Sequence, residues 1–203
     1  MNTTRFGVAL IAAVVAASAL SGCSKVGEIK EGAAGVIQEV VETGTGQVID
    51  AVGGDLFTAE GIDAAYSAIS TRVGADPAQV VEVTIVPGVL TIEAIDPNAP
   101  TELNQWSYTA GAVGPSRPVD YGDDTEALQQ NLFSLNEVST GAVVTAINGA
   151  MAASEIQGGE VQSLIIKRNI PFDENVTVFV NVQGERSSKQ VRADVTGQII
   201  DVV

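Results

Sequence analysis

Residues 80–95 read VVEVTIVPGVLTIEAI. Val80 to Val86 is rich in β-branched residues and partly alternates apolar with polar, the period of a half-buried strand. Pro87-Gly88 is a tight-turn pair: proline presets its own φ and glycine accepts the left-handed conformation that follows. Val89 to Ile95 repeats the strand pattern. Two strands joined by so short a turn pair antiparallel. This stretch therefore sets the fold as antiparallel sheet.

Upstream, Leu56-Phe57-Thr58 reads as a helix start, with Thr58 as N-cap and Phe57 as a hydrophobic staple. Ile62, Ala65, Tyr66, Ile69 and Val73 then make one apolar face at helical spacing. Downstream, Gln105-Trp106-Ser107-Tyr108 reads as a third strand, ending in Thr109-Ala110-Gly111-Ala112-Val113. The same programme recurs. Leu132-Phe133-Ser134 matches the helix start, with the second helix beginning about four residues later, after Val138. Its apolar face is Val143, Val144, Ile147, Ala150 and Met151. Strands follow at Val161–Lys167, Val176–Val182 and Gln190–Asp194, the last running into Val195-Thr196-Gly197-Gln198-Ile199. Gly111 and Gly197 sit in a shared frame and supply the positive φ of a hairpin turn.

The expected fold class is α+β: two repeated units, each a helix followed by an antiparallel meander with a short fourth strand allowed. The first unit spans residues 56–121 and the second 122–203. Residues 114–130 link them, with a short helix over 123–131. A lone unit of ~70 residues is marginal, so the two are expected to share a longer sheet or a common core.

The start of the chain carries a different message. After Arg5, Gly7 to Leu20 runs fourteen residues without a charge, GVALIAAVVAASAL. That is short of the ~18 needed to cross a bilayer as a helix, and it fits a signal peptide. It ends in Leu20-Ser21-Gly22-Cys23, and Cys23 is the one cysteine. This tetrapeptide resembles the lipobox of bacterial lipoproteins. The resemblance implies cleavage between Gly22 and Cys23, leaving residues 1–22 as the signal peptide. It further implies thioether diacylglycerol on Cys23 and an acylated amino terminus carrying a chain such as palmitate. The thiol is the required group because sulfur is the nucleophile that takes the lipid. Several acyl chains anchor stably where one binds marginally. The implied localisation is the extracytoplasmic face of the cell membrane. High alanine and scarce lysine suggest a GC-rich genome and, with the lipobox, an actinobacterial type.

Residues 23–55 read as lipidated terminus and tether. Val26, Ile29, Ala33, Val36, Ile37, Val40 and Val41 fall at helical spacing. Thr43-Gly44-Thr45-Gly46 interrupts them, and a further apolar turn at Val48, Ile49 and Val52 leads to Gly53-Gly54. A spacer helix is preferred to a docking helix, since the segment is acidic and interfacial helices are usually basic.

The whole chain carries a formal charge of −15, and loss of residues 1–22 removes Arg5 alone, giving −16. Such a chain is repelled by nucleic acid and by anionic headgroups. There is no histidine, which removes Ser-His-Asp and Cys-His systems and the commonest metal ligand. No phosphate-cradling or dinucleotide glycine motif occurs. No catalytic residue, metal or cofactor is assigned. Asp120, Asp123, Asp124 and Glu126 form the densest acidic cluster. Their spacing departs from an EF-hand, and capping of the short helix by Asp123 or Asp124 is preferred to calcium. Trp106 and Tyr108, two apart on one strand face, form with Tyr66 a candidate contact patch, although filling the gap between sheet and helix is the preferred reading.

The helix-then-meander order, with Asp194-Val195-Thr196-Gly197-Gln198-Ile199 as a unit end, resembles PepSY-like and β-lactamase-inhibitor-like proteins. That resemblance implies an extracytoplasmic binding or inhibitor module acting on an envelope protein, without enzymatic activity. A carrier of lipid or another hydrophobic ligand is the alternative, and carboxylate-only catalysis ranks last because no acid pair stands at a readable spacing.

Overall fold

The computed structural model describes residues 54–203. The signal peptide, the Gly22–Cys23 cleavage site and the tether-helix reading lie outside the described residues.

Helix α1 spans Ala59–Val73. Thr58 is its N-cap, its hydroxyl accepting from the Gly61 amide at 3.2 Å. Gly74 ends it in the left-handed region at φ 84°, its N–H closing on the Ser70 carbonyl. Three long strands follow: β1 (Gln79–Val86), β2 (Val89–Asp96) and β3 (Ala99–Thr109). A two-residue β4 (Ala112–Val113) folds back on β3. β5 (Arg117–Pro118) and helix α2 (Thr125–Asn131) fill the connection. Next come β6 (Phe133–Ser134), a 3-10 turn (Leu135–Glu137) and helix α3 (Thr140–Ser154). The chain closes with β7 (Glu160–Arg168), β8 (Val176–Gln183), β9 (Ser188–Ala193) and β10 (Ile199–Val202).

The strands form a single antiparallel sheet in the order β10-β9-β8-β7-β1-β2-β3-β4, with β5 beside β3 and β6 beside β1. The seam at its centre pairs the first strand of each half: Val83 with Ile166, Thr84 with Ile165, Ile85 with Leu164. The architecture is thus α+β, with the element order helix, strand, strand, strand, strand occurring in both halves of one shared sheet.

One face of this sheet carries the core. Ile85, Leu90, Ile92, Leu164, Val178, Val180 and Val191 are fully buried there, against Ile62, Ala65 and Ile69 of α1 and Val143, Ala146 and Ala150 of α3. Burial at alternate positions along most of β1 and β2, and at helical spacing on α1 and α3, is what the two periodicities require, whereas β8 is buried on both faces from Val176 to Val180. Each fully buried Val, Leu or Ile side chain among them contributes roughly 1.5–3 kcal/mol relative to exposure.

Three sequence readings change. Phe133-Ser134 is not a helix start. Phe133 pairs with Val80 as strand β6, Ser134 makes no side-chain cap, and Ser139 caps α3 by accepting from the Ala142 amide at 3.1 Å. Phe133 is buried, so its side chain is drawn onto the core and holds the backbone in an extended bridge before the helix can begin. Met151 does not belong to the apolar face of α3, being exposed. The third strand begins at Ala99, six residues before the expected Gln105, because Asp96-Pro97-Asn98-Ala99 makes a tight turn and β3 pairs along the whole of β2.

Candidate functional site

The second face of the sheet is mostly polar, interrupted by a row in which Ile165 and the buried Phe179 stand between Thr84 and Arg192. Side chains at the alternate positions form rows that cross several strands. In one row Thr177 stands opposite Lys167, and Glu82 opposite Glu93. Gln105 is the next partner of Glu93, and Arg117 of Gln105. Lys167 Nζ lies 3.5 Å from Glu82 Oε2, joining β7 to β1 across the central seam. Thr84 Oγ1 donates to Glu82 Oε1 at 3.0 Å, and Gln105 Nε2 reaches Glu93 Oε1 at 3.5 Å. Further along, Thr91 and Ser107 hydroxyls are 3.3 Å apart, Asn181 donates to Ser163 at 2.8 Å, and Gln190 donates to Asn181 at 3.2 Å. Such cross-strand pairs are the unit that fixes side-chain position on a sheet.

Helix α2 lies over the β1–β3 part of this face. Leu128 of α2 and Leu103 of β3 are both buried there. Asp124 caps α2, Oδ1 accepting from the Ala127 amide at 2.9 Å, and Tyr121 is tied down by its hydroxyl donating to the Thr101 carbonyl at 2.7 Å. Between the helix, the Val119–Tyr121 strap and the strands remains a cleft of about 360 Å³. Glu82, Glu93, Asp120 and Lys167 line it, together with Asn131 and Tyr121. Burial, aided by the charge of Glu82, raises the Glu93 carboxyl above the ordinary glutamate range, although the Gln105 hydrogen bond and Lys167 pull the other way. The carboxylates outnumber the ammonium around the cleft, so it suits a cationic or hydrogen-bond-donating group.

The sequence offered no readable acid pair, yet Glu82 and Glu93 face one another directly. The signal was present. With Pro87-Gly88 as the turn, Val86 pairs with Val89, and counting outward in steps of one brings Glu82 to Glu93. Lys167, from a strand some eighty residues away, had no such local signal.

The other candidate residues fall elsewhere. Tyr108 is opposite Leu90 and Trp106 opposite Ile92, on the helix-covered face. Tyr108 is buried and Trp106 is half-buried against the core. The Tyr66 ring also packs on the core margin, while its hydroxyl tip is buried without a partner among the described residues. Burial first, and Asp63 second, push that phenol above its ordinary range. Tyr108 thus fills the layer between sheet and helix, with Tyr66 and Trp106 packed half-buried at its margin. A second hollow, about 460 Å³, lies beside α1 and the 3-10 turn, lined by Asp63, Tyr66, Ser70, Asp76 and Asn136 among others. In the acidic cluster, Asp124 caps α2 and Asp120 Oδ1 accepts from the Gly122 amide at 2.8 Å. Among the described residues, no group of three or more Asp, Glu, His or Cys is placed to hold a metal ion. Nor is any helix among them long and apolar enough to cross a membrane.

No family model matches the chain, and no curated protein matches it. Among solved structures it is similar to the "putative lipoprotein (CD1622)" of Clostridium difficile 630, with a TM-score of 0.51 and 15% identity. The match covers 68% of this chain and 89% of that one. At this identity the likeness establishes the shared fold.

Proposed function

We propose that this chain is a bacterial lipoprotein, held by acyl groups on Cys23 at the extracytoplasmic face of the cell membrane, and that its body binds a protein of the envelope without catalysing a reaction. The observation that carries the binding reading is the asymmetry of the sheet. Two fifteen-residue helices cover one face, and the other, apart from the Ile165–Phe179 row, presents hydrogen-bonded polar side chains with a cleft beneath α2. A hydrogen-bonded, largely polar surface of this kind suits recognition, with specificity set by charge and hydrogen bonding.

The anchor reading rests on the apolar run Gly7–Leu20 and on Leu20-Ser21-Gly22-Cys23. The structural likeness to a protein named a lipoprotein fits it. We read the two halves as PepSY-like repeats joined edge to edge, each a helix followed by four antiparallel strands, in a protein of actinobacterial type.

The test is photo-crosslinking in intact cells from two positions of the full chain. One is Thr91 on the polar face and the other is Met151 on the exposed side of α3. Capture of one dominant envelope protein from position 91 and not from 151 is expected. Equal capture from both positions overturns the surface assignment. Lipid bound in stoichiometric amount by the body, beyond the acyl groups of Cys23, replaces the binding module with a hydrophobic carrier.

A further inference from the structure

One exposed feature is built with more order than a surface loop requires. The connection between β7 and β8 runs from Asn169 to Asn175. Asn169 donates its amide to the Asn175 carbonyl at 3.0 Å, and its carbonyl accepts from Phe172 at 2.9 Å and Asp173 at 3.2 Å. Asn169 Nδ2 donates to Asp173 Oδ2 at 2.7 Å, and the Asn175 amide donates to Asp173 Oδ1 at 2.9 Å. Arg168 closes the base, its guanidinium donating to the Glu174 carbonyl and, at 3.0 Å, to the Leu132 carbonyl. This scaffold holds Phe172 84% exposed, more than any other large apolar side chain among the described residues, with Ile170 exposed beside it. Phenylalanine in water costs free energy that burial in a partner recovers. A pre-ordered loop lowers the entropy cost of that burial.

The surroundings define the occupant. Asp173 and Glu174 follow Phe172 directly. The Asn169 side chain, then the Asn175 amide, hold the Asp173 carboxyl below the ordinary carboxylate range, so it is ionised beside the phenyl ring. An ionised carboxylate carried toward hydrocarbon opposes insertion into a bilayer. The bond from Arg168 to Leu132 places the loop next to the end of α2, which roofs the cleft bearing Glu82, Glu93 and Asp120. Aromatic finger and acidic cleft thus share one end of the polar face, and the Arg168 charge is spent on backbone carbonyls.

We propose that Phe172 is a binding finger that enters an apolar pocket of a protein partner, and that basic residues around this pocket meet Asp173, Glu174 and the acidic cleft. This rests on the binding-module reading and names its partner's chemistry: a surface with a ring-sized apolar pocket bordered by lysine or arginine.

The experiment places p-benzoylphenylalanine at position 172 of the full chain in intact cells, with the position 91 probe in parallel. The captured protein is identified by mass spectrometry, purified, and titrated against the unmodified chain, Phe172→Ala, and Asp173→Asn with Glu174→Gln. Three results together are expected. The crosslinked peptide of the partner is apolar with flanking Lys or Arg. Phe172→Ala weakens binding roughly 10- to 100-fold. The charge variant binds less tightly at low salt and shows a shallower salt dependence. Crosslinks at 172 to lipid, to a second copy, or to nothing overturn the finger, as does a Phe172→Ala affinity within twofold of the unmodified chain. If position 91 captures a protein while 172 does not, the finger fails and the binding module stands. If neither captures one, both fail.

Discussion

Replacing Gly197 by alanine isolates how tightly the last turn is seated on α3. Gly197 has φ 84°, in the left-handed region. An added Cβ would overlap the Ala142 carbonyl oxygen and lie 2.9 Å from Thr145 Cβ, both on the first turns of the helix. Two costs add. A left-handed alanine costs about 1 kcal/mol. Overlap with a backbone carbonyl cannot be relieved by a rotamer change, so turn or helix must shift, at about 2 kcal/mol. The expected loss is about 3 kcal/mol, a fall in Tm of about 6–12 °C for a protein of this size. Gly74 is the matched control. It has the same φ of 84°, but nothing within 4 Å of its added Cβ. Gly74→Ala should lose only the conformational part, about 1 kcal/mol, or roughly 2–4 °C. Thermal and urea unfolding of the two variants, followed by circular dichroism, give the comparison. Equal destabilisation would refute the close seating of the turn, and with it the reason for glycine at 197 beyond its φ.

Three further outcomes are expected. Ser139→Ala removes the bond to the Ala142 amide and should cost about 1 kcal/mol in urea unfolding; Ser134→Ala, with no cap to lose, should cost little. Glu93 binds its proton more tightly when folded than when unfolded, so the stability it contributes is fully present below the ordinary glutamate range and is lost as pH rises through its raised folded value. Glu93→Gln, which cannot ionise, should therefore gain stability relative to the parent as pH rises above the ordinary glutamate range, and a pH-independent difference in urea midpoint would contradict the burial of this carboxyl. Cys23→Ser, lacking the thiol that takes lipid, should move the chain from the membrane to the soluble fraction, and retention at the membrane would sink the lipobox reading.

Much of the fold was legible because its signals are local. Thr58 caps α1 through a bond three residues long, and Pro87-Gly88 fixes the β1–β2 register and so the facing of Glu82 and Glu93. Gly111 and Gly197 take the positive φ read from their shared turn frame. Each depends on residues within about ten positions, where backbone sterics and period-2 or 3.6 patterning decide the outcome. Phe133 shows where this stops. Its local context matched a helix start, yet the edge of β1 at Val80 and a place in the core were available only once the sheet had formed.

Local patterning therefore accounts for α1 with its Thr58 cap, for the Pro87-Gly88 hairpin and for the inner faces of β1 and β2, but not for the Ser139 cap of α3, for strand β6 or for Met151 turning to solvent. Tertiary structure alone decided that β7 lies against β1, bringing Lys167 to Glu82 from a strand about eighty residues away. It also decided which sheet face the helices cover and which aromatic ring is left in water at Phe172. The physical reason is range. Periodicity states that a strand has two faces and an edge, but which face is covered and which edge is met follow from the packing of all elements together.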